Sequence, residues 1–173
     1  RFLNVIEKQN VVLSSSTGSG KSTRIPVWLG EIGTVLVIQP RRIACQSIAA
    51  RIAETEGFQI GHRVGYQVRG EMKSGKDSAI VFVTTGIALH MAQSQDWESF
   101  NTLVFDEVHE RRLDMDLLIA MALQKSKRIC LLSATIKGDE LAAHLGGQHL
   151  HVSGRNHPVD VRHLATPPQP SKT

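Results

Sequence analysis

The chain holds only two cysteines in 173 residues, Cys45 and Cys130, and both lie in apolar runs. Two such thiols cannot build a disulfide framework, and they read as reduced core residues of a cytoplasmic protein. There is no stretch of 18 apolar residues and no signal-peptide pattern, so a membrane partner is not expected. Charge of one sign is scarce as well. Lys plus Arg total 20 against 16 Asp plus Glu, and the resulting +4 suits a polyanionic partner without demanding one. No internal repeat or low-complexity tract competes for attention. Five histidines gather toward the C-terminus (His144, His149, His151, His157 and His163), but their spacing fits no standard metal site. What remains is 41% hydrophobic, enough to build the core of one domain.

The apolar residues fall into short runs separated by helical patterns. Val11–Leu13, residues 34–38, 79–83, 102–105 and 128–132 are nearly all apolar, as strands buried on both faces are. Residues 64–69 alternate as a further short strand, and 150–152 make a last one. Between them lie helical stretches, with Ile43, Ala44, Ile48, Ala49 and Ile52 expected on one buried face and Leu117, Leu118, Ala120 and Met121 on another. Strands alternating with helices predict an α/β fold: a parallel sheet flanked by helices on both faces. The last ten residues, 164–173, have the Pro-rich, polar composition of a linker, leaving 1–163 as the domain.

In such a sheet, ligands bind beyond the carboxyl ends of the strands. Five polar clusters stand at those positions. Ser14 to Thr23 follows the first strand, Gln39-Pro40-Arg41-Arg42 the second, and Thr84-Thr85-Gly86 the third. Asp106-Glu107-Val108-His109 follows the fourth and Ser133-Ala134-Thr135 the fifth. The first is a strand, a small-residue loop and a helix in succession, the context of a phosphate-binding loop. Backbone N–H groups of Gly18, Ser19 and Gly20 and the helix N-terminus would meet the anion, Lys21 would reach the outer phosphates, and Ser22 would ligate Mg²⁺. The usual opening glycine of that loop is replaced by Ser15. Asp106, closing an apolar strand, can hold Mg²⁺ opposite Ser22, and Glu107 can polarise an attacking water.

The ordered set Thr17-Gly18-Ser19-Gly20-Lys21-Ser22, Asp106-Glu107-Val108-His109-Glu110-Arg111 and Ser133-Ala134-Thr135 resembles the first RecA-like domain of superfamily 2 helicases. Within these it is most similar to the DEAH-box group, bacterial members included. Gln39 to Ala44, Val64 to Arg69, Thr84-Thr85-Gly86 and His157-Pro158-Val159 extend the likeness to nearly the whole chain. The resemblance implies ATP as nucleotide with Mg²⁺, bound by Thr17, Gly18, Ser19, Gly20, Lys21, Ser22 and Thr23, with Arg51 stacked on the adenine. It implies Glu107, Lys21 and Asp106 as the catalytic groups, with Ser22 and Asp106 on the metal. His109, Ser133 and Thr135 would couple hydrolysis to a second RecA-like domain of the same parent chain. Arg41, Arg42, Thr84 and Thr85 would contact the backbone of single-stranded nucleic acid, RNA being favoured. The departures are Ser15-Ser16, in place of a Gly-Glu pair, and Val108 for alanine. Two other readings stay open at this point: a nucleic-acid-binding scaffold with a vestigial ATPase, and a DNA translocase.

Overall fold

A computed structural model describes residues 2–16, 18–125, 127–134 and 138–152. Eight strands form one sheet in the order β4-β3-β5-β2-β6-β7-β1-β8. They are β1 (Asn10–Ser15), β2 (Val35–Gln39), β3 (Val64–Val68), β4 (Glu71–Lys73), β5 (Ile80–Thr84), β6 (Thr102–Phe105), β7 (Arg128–Ser133) and β8 (Gly147–Val152). Every pairing is parallel except β3 with β4, a hairpin turned at Gly70. The central strands are buried on both faces, and so their apolar residues form uninterrupted runs.

Among the described residues the α-helices are α1 (Phe2–Ile6), α2 (Lys21–Ile32), α3 (Arg42–Glu56), α4 (Thr85–Ser94), α5 (Leu113–Gln124) and α6 (Gly138–His144). Alternate strand residues face opposite cores. Val11, Leu13, Val35, Val37, Val104 and Cys130 pack with Ile25 and Leu29 of α2 and with Cys45, Ala49 and Ile52 of α3. Val12, Leu36, Ile38, Leu103, Phe105 and Leu131 pack with α4, α5 and Ala142 of α6. Helices therefore cover both faces, as the alternation of strand and helix patterns implies.

Two helices are rotated from the faces expected on the pattern alone. In α3 the buried residues are Cys45, Ala49, Ile52 and Ala53, while Ile43 is 78% exposed. In α5 they are Met115, Leu118, Ile119 and Ala122, and Leu117 is half-exposed. Both helices carry apolar side chains around more than one stripe, so periodicity alone cannot fix their phase. Both cysteines are buried and free, and burial pushes the Cys45 thiol up to about 12 and Cys130 further in the same direction. Among the described residues no helix is long and apolar enough to cross a membrane.

Candidate functional site

β1 lies between β7 and β8 in the sheet, and its carboxyl end delivers the loop that leads into α2. The left-handed conformations in this loop fall on Gly18 (φ 77°) and Gly20 (φ 80°), which adopt them without a Cβ penalty. Ser15 ends β1 and is buried, and its Oγ lies 2.6 Å from Ser19 Oγ, tying the two ends of the loop together. The Thr23 hydroxyl donates to the Gly20 carbonyl at 2.9 Å and closes the first turn of α2 from outside. Lys21, the first residue of that helix, is only 7% exposed.

A cavity of about 390 Å³ opens beside the loop. It is lined by Ser19, Gly20, Lys21 and Arg24 together with Phe2, Trp28, Leu150 and Val152. Sequence reasoning passed over these apolar residues because each reads equally well as core. Arg51 is not among the lining residues: it stands on the exposed side of α3, 3.0 Å from Glu54.

The end of β6 faces the same side of the sheet. Asp106 has no solvent exposure, and desolvation is the main reason its pKa is raised from the ordinary aspartate range. Hydrogen bonds work against that shift. The Glu107 N–H donates to Oδ1 at 2.8 Å, and the nearby Ser22 hydroxyl and Lys21 charge also favour the carboxylate. Gln39, opposite on β2, donates from Nε2 to Oδ2 at 2.5 Å. Among the described residues the buried Gln39 Oε1 has no hydrogen-bond partner. Thus Lys21 and Ser22, at the start of α2, converge on Asp106 from across β7.

Glu107 follows in the left-handed region (φ 58°), which is uncommon for a side chain other than glycine and concentrates at functional sites. Its Oε2 is 3.3 Å from His109 Nδ1, and the same nitrogen is 3.4 Å from the Ala134 N–H. One ring nitrogen cannot serve both partners in the same state: with a proton it donates to Glu107, without one it accepts from Ala134. His109 therefore stands between the β6 and β7 ends and bonds one of them at a time. Ser133, the last residue of β7, is fully buried beside them. Thr17 and Thr135 lie outside the described residues, as does the His157-Pro158-Val159 stretch.

Of the residues expected to meet nucleic acid, Arg41 and Arg42 open α3 with exposed side chains, 2.6 Å from Glu110 and 3.7 Å from Glu71 respectively. Thr84 precedes α4 and is half-buried. Thr85 is buried and donates to Asp114 Oδ2 at 2.6 Å. The C-terminal histidines take an unforeseen role. His149 Nε2 and His151 Nδ1 lie 2.7 and 2.9 Å from Ser14 Oγ, joining β8 to the root of the loop, and His149 Nδ1 reaches Asp139 at 3.0 Å.

A glycine loop at a helix N-terminus, with a buried strand-end aspartate one strand away, defines a P-loop nucleotide-binding domain of RecA-like α/β architecture. Comparison with known proteins narrows the class. The DEAD/DEAH box helicase family model matches residues 2–143, and the chain belongs to that family. It is 34% identical over 172 residues to an ATP-dependent RNA helicase HrpA homolog of Haemophilus influenzae, covering 92% of this chain and 13% of that protein. It is 34% identical over 175 residues to the human ATP-dependent RNA helicase DHX33, covering 91% of this chain and 25% of that protein. A putative ATP-dependent RNA helicase ucp12 of Schizosaccharomyces pombe is 37% identical over 169 residues, covering 87% of this chain and 13% of that protein. The chain thus spans between an eighth and a quarter of the length of these relatives.

Proposed function

We propose that this chain is the nucleotide-binding domain of an ATP-dependent, DEAH-type RNA helicase. The observation that carries the reading is the convergence of Lys21, Ser22, Asp106 and Glu107 at one edge of the sheet. Gly18, Ser19, Gly20 and Thr23, with Thr17, surround the phosphates, and Lys21 compensates their charge. The donors present suit Mg²⁺: a hydroxyl at Ser22 and a fully buried carboxylate at Asp106 are hard oxygens. When bound, the ion neutralises charge on the phosphates. Glu107 takes the proton of the attacking water, and its link through His109 to Ala134 carries the state of that carboxylate toward Ser133 and Thr135. Arg51 on α3 is assigned to the adenine.

Arg41, Arg42, Thr84 and Thr85 contact the backbone of single-stranded RNA. A second RecA-like domain of the parent chain, reached through residues 164–173, supplies the arginine finger. Without that finger, worth roughly 10³–10⁵ in rate, the 173-residue chain is expected to bind nucleotide and turn it over very slowly. Buried, protonated thiols fit a reducing cytoplasm. Titration of a fluorescent ATP analogue with and without Mg²⁺ tests the reading. Magnesium-dependent binding is expected, and its absence even at millimolar nucleotide would mean a scaffold with a vestigial site.

A further inference from the structure

Three of the four residues assigned to nucleic acid already hold a carboxylate of this chain. Arg41 holds Glu110, Arg42 lies against Glu71, and Thr85 donates to Asp114. A carboxylate offers a guanidinium or a hydroxyl the same anionic oxygens that a phosphodiester offers. Among the three, the Arg41–Glu110 pair is best placed to open. Its Arg41 side chain is 73% exposed, and an ion pair so open to water is easily surrendered to a competing phosphate.

The same segment carries a second, buried bond. Gln39 stands two residues before Arg41, is 1% exposed, and donates to Asp106 Oδ2. Leaving its Oε1 without a partner is unfavourable in a dry site, so an apolar residue of equal size would suit packing alone. The polar task this side chain performs is to hold Asp106. Residues 39–41 are therefore bonded to both ends of residues 106–110: at one end to the buried aspartate, at the other to an exchangeable carboxylate.

We propose that Glu110 is an internal stand-in for a nucleic-acid phosphate, and that Gln39 is a positioning residue through which the exchange at Arg41 reaches Asp106. A backbone phosphate that takes Arg41 breaks the exposed bond between the two segments and leaves only the buried one. The Asp106 N–H stays bonded to the Ile38 carbonyl, so the readjustment is confined to residues 39–41 and 107–110 and reaches the aspartate through the Gln39–Asp106 contact, altering the aim of its carboxylate. This rests on Arg41 as a nucleic-acid contact and Asp106 as a metal ligand.

Two equilibrium measurements on the whole chain test it, with labelled single-stranded oligouridine followed by anisotropy and a fluorescent nucleotide followed at varied Mg²⁺. Glu110→Gln should tighten oligouridine binding a few-fold, up to about fivefold, and should do nothing in an Arg41→Gln background. Gln39→Met keeps the volume and removes the amide. It should leave nucleotide-free oligouridine binding unchanged while raising the Mg²⁺ needed for half-maximal nucleotide binding by about tenfold to a hundredfold. Unchanged affinity in Glu110→Gln, or equal tightening without Arg41, overturns the stand-in. Unchanged Mg²⁺ dependence in Gln39→Met overturns the positioning role. Wild-type chain that binds neither probe fails differently: it overturns the helicase reading on which the inference rests.

Discussion

Replacing Asp106 by asparagine should make the domain more stable and less functional at once. The carboxylate is fully buried, and its raised pKa means that desolvation outweighs the Ser22 and Glu107 hydrogen bonds and the attraction of Lys21. The sign follows by linkage. A folded-state pKa above the unfolded value means the folded protein holds that proton more tightly. The associated stability is complete below the ordinary aspartate range, near pH 4, and is lost as pH rises through the higher folded value. Above its folded value the wild-type site therefore carries an ionised group at a net cost, and Asp106→Asn removes that charge while keeping the shape. The Glu107 N–H keeps an oxygen to donate to, and a turn of the Gln39 amide would bring its unpartnered Oε1 to the new NH₂ group.

The gain should be on the order of 1–4 kcal/mol, the size of effect seen when a buried ion pair gives way to uncharged side chains of similar volume, less what Lys21 loses with its counter-charge. For a chain of this size that is roughly 2–16 °C in Tm. Thermal denaturation followed by circular dichroism, in EDTA and without nucleotide, reads it directly. The difference between variant and wild type should grow from near zero at about pH 4 to a plateau at higher pH. Mg²⁺-dependent nucleotide binding should be lost in the same variant, a trade of activity for stability typical of functional sites. A lower Tm for the variant on the high-pH plateau, or an offset that does not change with pH, would refute the reasoning.

Three other outcomes follow from the geometry. Glu107→Gln should lower hydrolysis by about 10²–10⁴-fold with nucleotide affinity kept, as expected for loss of a general base, and parallel loss of affinity would argue against that role. Gly138→Ala would set a Cβ 2.2 Å from His149 Nε2, forcing the ring off Ser14. A cost of about 1–3 kcal/mol should appear in chemical denaturation and should vanish in a His149→Ala background. Cys45, with its pKa pushed up to about 12, and Cys130, buried in the same core, should resist Ellman's reagent at pH 8 until guanidinium unfolds the chain. Prompt labelling of either in the native state would contradict their burial.

The strands of this fold could be read from the sequence because a parallel sheet buried on both faces needs apolar residues at every position, and β2, β6 and β7 supply them. The polar clusters could be read because they stand where those runs stop. What periodicity cannot supply is strand order. Gln39 and Asp106 are 67 residues apart and meet only because β2 pairs with β6. Ser14 meets His149 and His151 only because β8 pairs with β1, so the two histidines, an ordinary alternating pair on the page, become the clasp at the root of the loop. The helix phases failed for a related reason. Ile43 and Leu117 are as apolar as their buried neighbours, and only the position of the sheet decides which side it covers.

Ser15 shows how a departure from a motif should be weighed. Its place is commonly a glycine's, and a serine there threatens the loop only if the backbone must enter the left-handed region. It does not: among the described residues other than glycine, that region holds only Gln95, Glu107 and Arg111. Ser15 instead completes β1, pairing with Val152 of β8, and spends its hydroxyl on Ser19. The conformational demand of the loop falls on Gly18 and Gly20, where the sequence kept glycine. A β-strand residue with a short hydroxyl can therefore replace the missing glycine at little cost, and the bond to Ser19 gives the loop a closure that glycine could not. Lys21 stays buried and its charge still acts on Asp106 against the upward shift, so Ser15 leaves the lysine proposed for the phosphates beside the strand-end aspartate.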